Sequence, residues 1–238
     1  MLGATRSAMP ATTDRPWTSA PSHPRAAEGA VHVWRANLNA VAEGLEDLLN
    51  QDELERAARI ARACDRIRWA RSRGVLRALL GRYLDRDPRQ LSFVLHQQGK
   101  PALRAGTQPD ADLRFNLSHS GALSLYAVAI GREVGIDAEM PRRQVDEVAI
   151  AARVLGHDQA RRLAHLERDP QARTREFLRA WVTHEATVKC RGTGLATPSR
   201  GSFATELWTA DLQVGPQAAG AVAVEGGPGE LRCWEWPT

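Results

Sequence analysis

The pattern of apolar and polar positions predicts strands in both halves of the chain. Alternation marks strands at 31–37 and 134–139, and a mostly apolar run predicts another strand at 123–130. The last two runs are separated only by Gly131-Arg132-Glu133, so we expect them to form a hairpin. Residues 202–236 contain further strand-like runs between glycine-rich turns.

Helical spacing covers three other stretches. Residues 51–85 carry apolar side chains three or four positions apart, with a break expected near Cys64 and Asp65. A second helical stretch, 142–166, is interrupted at Gly156, and a third, 173–191, is stopped by Gly192 and Gly194. Because helices and strands recur along the chain, the predicted fold class is α+β.

Composition narrows the class of protein. The 238 residues are 43% hydrophobic and 25% charged, as in a soluble globular protein, and no apolar run reaches the roughly 18 residues of a membrane span. Residues 1–28 are rich in Pro, Ala, Ser, Thr and Arg without an apolar stretch, so we expect a disordered extension that contributes little to the fold. We divide the remainder into an N-terminal half, 29–120, and a C-terminal half, 121–238. The three widely spaced cysteines fit no metal-ligand spacing and indicate reduced thiols in a cytoplasmic protein.

Charge points to an acidic partner or a polyanionic ligand. The formal net charge is +4 and the pI is about 9.4. Of the 32 residues that are lysine or arginine, only Lys100 and Lys189 are lysines. Against an arginine-rich background, each lysine suggests a position that requires a compact ammonium group, although chance survival explains two lysines equally well.

Two carboxylates share one face of a predicted strand. In the segment 134–139, Asp137 and Glu139 point to the face opposite Ile136. Carboxylates spaced i, i+2 repel each other unless they are solvated or bridged by a cation, and Mg2+ prefers such oxygen ligands. The alternative is an exposed acidic strand face.

Two further motifs carry candidate chemistry. Trp181, Glu185 and Lys189 lie on one helical stripe, either at the edge of a cleft or as an ordinary surface ion pair. Ser118 and His119 are adjacent, which is a poor arrangement for a nucleophile and its base, but they can grip a phosphate or belong to a turn. The arginines of the helical segment between Arg56 and Arg77 can bind phosphate, or they can form a solvated helix face.

Taken in order, these motifs resemble one enzyme family, the 4′-phosphopantetheinyl transferase superfamily. The resemblance covers about Leu48 to Leu195, and its length and arginine-rich helices are similar to the larger, surfactin-type branch. The matching segments are Gly99-Lys100-Pro101, Phe115-Asn116-Leu117-Ser118-His119-Ser120, Gly135-Ile136-Asp137-Ala138-Glu139, Trp181 to Lys189, and Gly192-Thr193-Gly194-Leu195.

The resemblance implies a monomer of two similar α/β halves with the active site between them. It implies transfer of the phosphopantetheine arm of coenzyme A to a serine of an apo acyl or peptidyl carrier protein, with Mg2+, or alternatively Mn2+, as the metal. It also implies an acidic carrier as partner, and neither nucleic acid nor membrane. A pathway of polyketide, nonribosomal peptide or fatty acid synthesis would follow from such a partner.

The resemblance also implies roles for individual residues. Metal ligation falls to Asp137, Glu139 and Glu185, and catalysis to Glu185, as base for the serine, and Lys189. Coenzyme A contacts fall to the following residues: Lys100, Ser118, His119, Lys189, Arg68 and, as a less specific match, Arg56.

One position departs from the family pattern. The residue before the helix glutamate is usually lysine, and here it is His184, whose protonation near neutral pH would add pH dependence. Three alternatives remain open at this point: another Mg2+-dependent phosphoryl-transfer enzyme, a basic nucleic-acid-binding protein, and a degenerate relative that binds coenzyme A without transfer. The first lacks a P-loop motif, and the second lacks a recognisable nucleic-acid motif.

Overall fold

A computed structural model describes residues 16–95, 99–104, 112–142, 145–192, 206–227 and 229–238, and the backbone of 11–13. The helices are α1 (Gln51–Ala58), α2 (Ala63–Leu84), α3 (Glu147–Val154), α4 (His157–His165) and α5 (Pro170–Arg191). The strands are β1 (Ala11–Thr13), β2 (Thr18–Ser19), β3 (Ala30–Asn37), β4 (Phe93–Leu95), β5 (Pro101–Leu103), β6 (Leu113–Ser120), β7 (Leu123–Ile130), β8 (Val134–Glu139), β9 (Leu207–Leu212), β10 (Ala219–Glu225) and β11 (Glu230–Glu235). The predicted α+β class is confirmed. None of the described helices is long and apolar enough to cross a membrane.

The fold has two halves, each built from a sheet and a covering helix. One sheet has five strands in the order β2-β11-β3-β7-β6, and the other has four in the order β1-β9-β10-β8. The two sheets share a buried apolar layer to which β3 and β7 contribute from one side and β8, β9 and β10 from the other. Helix α2 packs on the outer face of the five-stranded sheet and α5 on that of the four-stranded sheet. Each of these helices has 22 residues.

Alternation within the strands explains this layering. In β3, Val31 and Val33 face the layer between the sheets, whereas Trp34 and Ala36 face α2. Both faces of the strand are therefore buried. Burial of apolar surface at roughly 25 cal/mol per Å2 is the main stabilisation of such a core.

The hairpin predicted for 123–130 and 134–139 is wrong. Both edges of β7 are occupied, because it pairs antiparallel with β3 on one side and with β6 on the other. The chain therefore leaves this sheet through 131–133, and β8 pairs with β10 in the other sheet. The hairpin at this point is formed instead by β6 and β7, where Gly121 adopts a φ of 58° in the connecting turn.

The N-terminal segment contributes one strand to each sheet. Strand β2 pairs with β11, β1 pairs with β9, and Arg35 lies over the ring of Trp17 at 4.6 Å. Within the predicted extension 1–28, residues 11–13 and 16–28 therefore contribute to the fold, contrary to our expectation. Residues 1–10 and 14–15 lie outside the described residues. Strands β7 and β11 follow the division we predicted at residue 120, yet both belong to the five-stranded sheet.

Candidate active site

A cleft of about 760 Å3 lies between the two halves. Its walls come from α1, α2, β6 and α5, and from the segment around β5. The predicted site residues that line it are Arg56, Lys100, Ser118, His119, Glu185 and Lys189. A second cavity, of about 410 Å3, shares Ser118, His119, Glu185 and Lys189 with the cleft and adds Asp137 and Glu139. These four shared residues therefore lie where the two cavities meet.

A close contact between α5 and β8 positions the acidic residues. A Cβ atom on Gly135 would lie 2.0 Å from the carbonyl oxygen of Ala186 and 2.4 Å from the amide nitrogen of Cys190. Only glycine allows the helix and strand to approach this closely. Two residues further along β8 is Asp137, and the neighbouring stripe of α5 carries Glu185 and Lys189.

Asp137 is bonded to both a serine and a lysine. Its side chain is buried, and its Oδ1 accepts hydrogen bonds from Ser118 Oγ at 2.7 Å and from Lys189 Nζ at 2.6 Å. Lys189 Nζ also donates to Ser118 Oγ at 3.2 Å. The predicted grouping of a strand carboxylate, the Ser-His motif and the helix lysine is therefore present in the structure.

Glu139 has an equivalent set of contacts. Its Oε2 accepts from Ser120 Oγ at 2.9 Å, and its Oε1 accepts from Arg142 Nη2 at 2.9 Å. The hydroxyl of Ser120 accepts from the amide of Met140 at 3.1 Å. Ser120 belongs to the segment that resembles the family motif, but the resemblance implies no role for it. Its i, i+2 spacing from Ser118, matching that of Asp137 and Glu139, was the available signal.

The third carboxylate, Glu185, has a perturbed acidity. Burial raises its pKa above the ordinary value of 4.5, and the negative charges of Asp137 and Glu139 raise it further, while Lys189 opposes the change. Because ionisation is disfavoured among these charges, a cation placed here would stabilise the ionised form.

Two carboxylate oxygens of this group suit a cation. Asp137 Oδ2 and Glu185 Oε1 are buried and have no hydrogen-bond partner among the described residues. Buried oxygens of this kind are costly unless paired. Within the described part of the chain, no three His, Cys, Asp or Glu side chains form a ready-made metal cage. Carboxylate oxygens are the ligand type that Mg2+ prefers, so Asp137 Oδ2 and Glu185 Oε1 fit such a cation.

The opposite end of the cleft contains basic and aromatic side chains. Arg56 lines it, and its guanidinium lies 5.8 Å from the ring centre of Trp69, which also lines the cleft. Arg68 is not among the lining residues, because its Nε bonds to Asn39 Oδ1 at 3.1 Å. Arg73, which lies five residues further along α2, lines the cleft instead. Which of these arginines reaches the cleft depends on how α2 packs against α1, and helical periodicity alone does not specify that packing.

The remaining predicted residues occupy different environments. Lys100 donates to Glu133 Oε2 at 2.7 Å and to the Val134 carbonyl at 3.0 Å, so its ammonium ties the cleft wall to the start of β8. Partial desolvation in the cleft wall lowers the pKa of His119, although its side chain reaches solvent, and the charge of Lys189 lowers it further. His184 lines neither cavity, and burial beside Trp181 lowers its pKa. The neutral-pH titration expected for His184 is therefore moved to lower pH. Thr193, Gly194 and Leu195 lie outside the described residues.

The second cavity is mainly apolar beyond the carboxylates. Met140 and Val145 line one side, and Phe177, Leu178 and Trp181 of α5 line another. Glu147 also lines it, but this carboxylate accepts hydrogen bonds from Arg173 Nε at 3.0 Å and Thr174 Oγ1 at 2.6 Å. The site thus joins a basic cleft to an apolar chamber through a cluster of carboxylates and one lysine.

Two family models match the chain in succession. The model described as "4'-phosphopantetheinyl transferase, N-terminal" matches residues 33–130, and that described as "4'-phosphopantetheinyl transferase superfamily" matches residues 133–235. The two matches meet in the connection between β7 and β8, where the chain passes from one sheet to the other.

Individual proteins match as well. The 4'-phosphopantetheinyl transferase HetI of Nostoc sp. is 33% identical over 235 residues, which cover 92% of this chain and 98% of the relative. A putative 4'-phosphopantetheinyl transferase of Synechocystis sp. is 33% identical over 64% of this chain and 61% of its own length. The 4'-phosphopantetheinyl transferase AcpT of Escherichia coli K12 is 36% identical over 49% of this chain and 55% of its own length.

Proposed function

Because the chain belongs to the 4′-phosphopantetheinyl transferase superfamily, we propose that it transfers the 4′-phosphopantetheine moiety of coenzyme A to a serine of an apo acyl or peptidyl carrier protein. The products are the holo-carrier and adenosine 3′,5′-bisphosphate. The observation that carries this proposal is the contact of Lys189 with Asp137 and Ser118 where a basic cleft meets an apolar chamber.

The chemistry requires an in-line displacement at phosphorus. The carrier serine oxygen forms a bond to the β-phosphorus of coenzyme A, and the bond from that phosphorus to the adenosine bisphosphate oxygen breaks. Holding the nucleophile and leaving group in position and neutralising oxygen charge are the main contributions an enzyme makes to such a step. Lys189 is placed to neutralise phosphate charge, and His119, which lines both cavities, is placed to contact the same group.

Glu185 is the proposed base for the serine proton. A cation bound beside it would keep this carboxylate ionised, and an ionised carboxylate can accept a proton. Glu185 lies on the walls of both cavities, so a serine entering from one side can meet a phosphate held on the other. Whether the proton passes directly or through a water does not alter this role.

Asp137, Glu185 and Glu139 are the proposed holders of a divalent ion. Asp137 Oδ2 and Glu185 Oε1 are the buried oxygens that the described protein leaves unpaired. Bound Mg2+, or Mn2+ in its place, would neutralise charge on the pyrophosphate.

The nucleotide end of coenzyme A is assigned to the opposite end of the cleft. Arg56 supplies positive charge there for phosphate, and Trp69 supplies an aromatic face against which a base can stack. The guanidinium of Arg73 is paired with Glu53, so Arg73 lines the wall without an uncompensated charge. Lys100 supports this wall through its bonds to Glu133 and Val134. Arg68, the predicted nucleotide contact, remains a prediction that its bond to Asn39 disfavours.

The proposed partner is an acidic carrier protein, and the proposed state is a monomer. The net charge of +4 favours encounter with an acidic surface. The cytoplasm is the compartment in which we expect the protein to act.

Intact-mass spectrometry of a panel of apo carrier proteins tests the function. Each carrier is incubated with the protein, coenzyme A and Mg2+, and with EDTA or Asp137→Asn in parallel. Asp158→Asn is the matched control, because Asp158 is an exposed carboxylate on α4. The expected result is a mass gain of one phosphopantetheine per carrier. This gain should be absent with EDTA or with Asp137→Asn, and it should persist with Asp158→Asn. No gain on any carrier by the folded, unaltered protein would overturn the proposal.

A further inference from the structure

We propose that Ser120 is a positioning residue that fixes Glu139 and thereby sets the affinity of the site for a divalent cation. The inference rests on the proposed function, since it concerns the same carboxylates. Motif and family resemblance assign Ser120 no role, and its contacts carry the argument.

The contacts of Ser120 define the direction of its hydrogen bond. The amide of Met140 donates to Ser120 Oγ at 3.1 Å, so the oxygen accepts there. A hydroxyl has one proton, and a carboxylate oxygen of Glu139 lies 2.9 Å away to receive it. Ser120 is therefore a donor to Glu139 Oε2, held in that orientation by the backbone of the residue that follows Glu139.

The same arrangement occurs two residues earlier on both strands. Ser118 donates to Asp137 Oδ1, and the buried Oδ2 of that carboxylate has no partner among the described residues. Each serine thus occupies one oxygen of a carboxylate. The second oxygen of Asp137, Oδ2, has no partner among the described residues. The second oxygen of Glu139, Oε1, accepts a hydrogen bond from Arg142.

The contact between Arg142 and Glu139 is the weaker of the two restraints. The side chain of Arg142 is 71% exposed, and solvent screens an exposed ion pair so that it adds little stability. Ser120 is half-buried on β6 and has few rotamers to lose. A cation approaching Glu139 can therefore replace Arg142 at Oε1 while Ser120 retains Oε2.

These side chains also link the two sheets. Strands β6 and β8 belong to different sheets, and Asn116 Oδ1 accepts from the Ile136 amide at 2.9 Å. Asn116, Ser118 and Ser120 alternate on one face of β6 and each bonds to β8 or to the residue after it. The face of β6 thus aligns the carboxylates of the second half with the cleft wall of the first.

The test is a Mn2+ titration of the full-length protein with saturating coenzyme A and no carrier, followed by the electron paramagnetic resonance of free Mn2+. Ser120→Ala is expected to weaken Mn2+ binding by about 10- to 100-fold, the usual effect of removing a group that orients a ligand. Ser120→Thr, which keeps the hydroxyl, should restore most of the affinity. Ser19→Ala is the matched control, because Ser19 is an exposed strand serine on β2, at the other edge of the same five-stranded sheet. It should leave Mn2+ affinity unchanged.

Two further readouts separate positioning from a loss of structure. Thermal unfolding of all variants is recorded without metal, and transfer to a carrier is measured against Mg2+ concentration. Positioning predicts a raised KM for Mg2+ with kcat largely recovered at saturation in Ser120→Ala. Unchanged Mn2+ affinity in Ser120→Ala, or an equal loss in Ser19→Ala, would overturn the inference. Carrier modification by the unaltered protein would remain a separate result. Absence of that modification would instead overturn the proposed function.

Discussion

Lys189 Nζ lies 2.6 Å from Oδ1 of Asp137, a carboxylate whose side chain is 5% exposed. The pair joins the long helix of the second half to the strand beneath it. Removing one partner from a buried ion pair leaves the other charge uncompensated, whereas replacing both with neutral groups can be close to neutral in stability. Structure and catalysis therefore depend on the same contact and can be separated by substitution.

Lys189→Met is expected to lower the free energy of unfolding by about 1–3 kcal/mol, reduced from the fully buried case because the lysine is partly exposed. Adding Asp137→Asn should recover most of this stability. Neither the single nor the double variant should transfer phosphopantetheine at more than about one hundredth of the original rate, since a group that stabilises transition-state charge is lost. Urea denaturation and carrier mass measure the two effects. Recovery of both stability and transfer in the double variant would show that Lys189 has no catalytic role.

The local part of the site was predictable because strand and helix periods are local properties. A period of two placed Asp137 and Glu139 on one face, and a period near 3.6 placed Glu185 and Lys189 on one stripe. The structure brings these residues together at the two cavities. Family resemblance supplied the expectation that the strand and helix would meet.

The parts that were not predictable depend on tertiary packing. The hairpin prediction failed because β7 and β8 are close in sequence, but both edges of β7 are already paired with β3 and β6. The pairing of β7 with β3 is a long-range contact that the local pattern does not reveal. The choice between Arg68 and Arg73 depends on how α2 rotates against α1, which propensity does not encode. The pairing of Ser120 with Glu139 requires two strands from different sheets and is visible only in three dimensions.

Arg56 and Arg68 provide a matched pair for locating the nucleotide. Arg56→Ala is expected to raise KM for coenzyme A about tenfold or more with little change in kcat, because a charged hydrogen bond contributes roughly 1.5–3 kcal/mol and tenfold corresponds to about 1.4 kcal/mol. Arg68→Ala should leave KM nearly unchanged, because its guanidinium bonds to Asn39 away from the cleft lining. Initial-rate kinetics with a fixed carrier measure both. A larger effect for Arg68→Ala would restore the assignment made from sequence.

Glu53 holds two arginines under the cleft. It accepts from Arg73 Nη2 at 2.6 Å and from Arg77 Nε at 2.6 Å, and the Arg77 side chain is fully buried. Glu53→Gln should lower the free energy of unfolding by about 3–5 kcal/mol, because two buried guanidinium groups lose their counter-charge. Glu55→Gln, on the exposed side of the same helix, should change it by less than about 0.5 kcal/mol. Equal effects in urea denaturation would contradict the buried network.

Glu185 should destabilise the metal-free protein at neutral pH. Burial and the charges of Asp137 and Glu139 raise its pKa in the folded state above the ordinary value of 4.5. Between the unfolded and folded pKa values the native state binds more protons than the unfolded state, so stability falls as pH rises through this window. Below the window Glu185 is protonated in both states and imposes no such penalty.

Glu185→Gln is therefore expected to raise Tm in EDTA at pH 8 and to change it little at pH 4, while transfer falls by about 10²- to 10⁴-fold through loss of the proposed base. Glu167→Gln, at an exposed position after α4, is the matched control and should show neither change. Differential scanning calorimetry at both pH values, together with carrier mass after incubation, checks the prediction. If Glu185→Gln shifts Tm equally at pH 4 and pH 8, repulsion among the three carboxylates is not the cause. If it retains full transfer, another group must accept the serine proton.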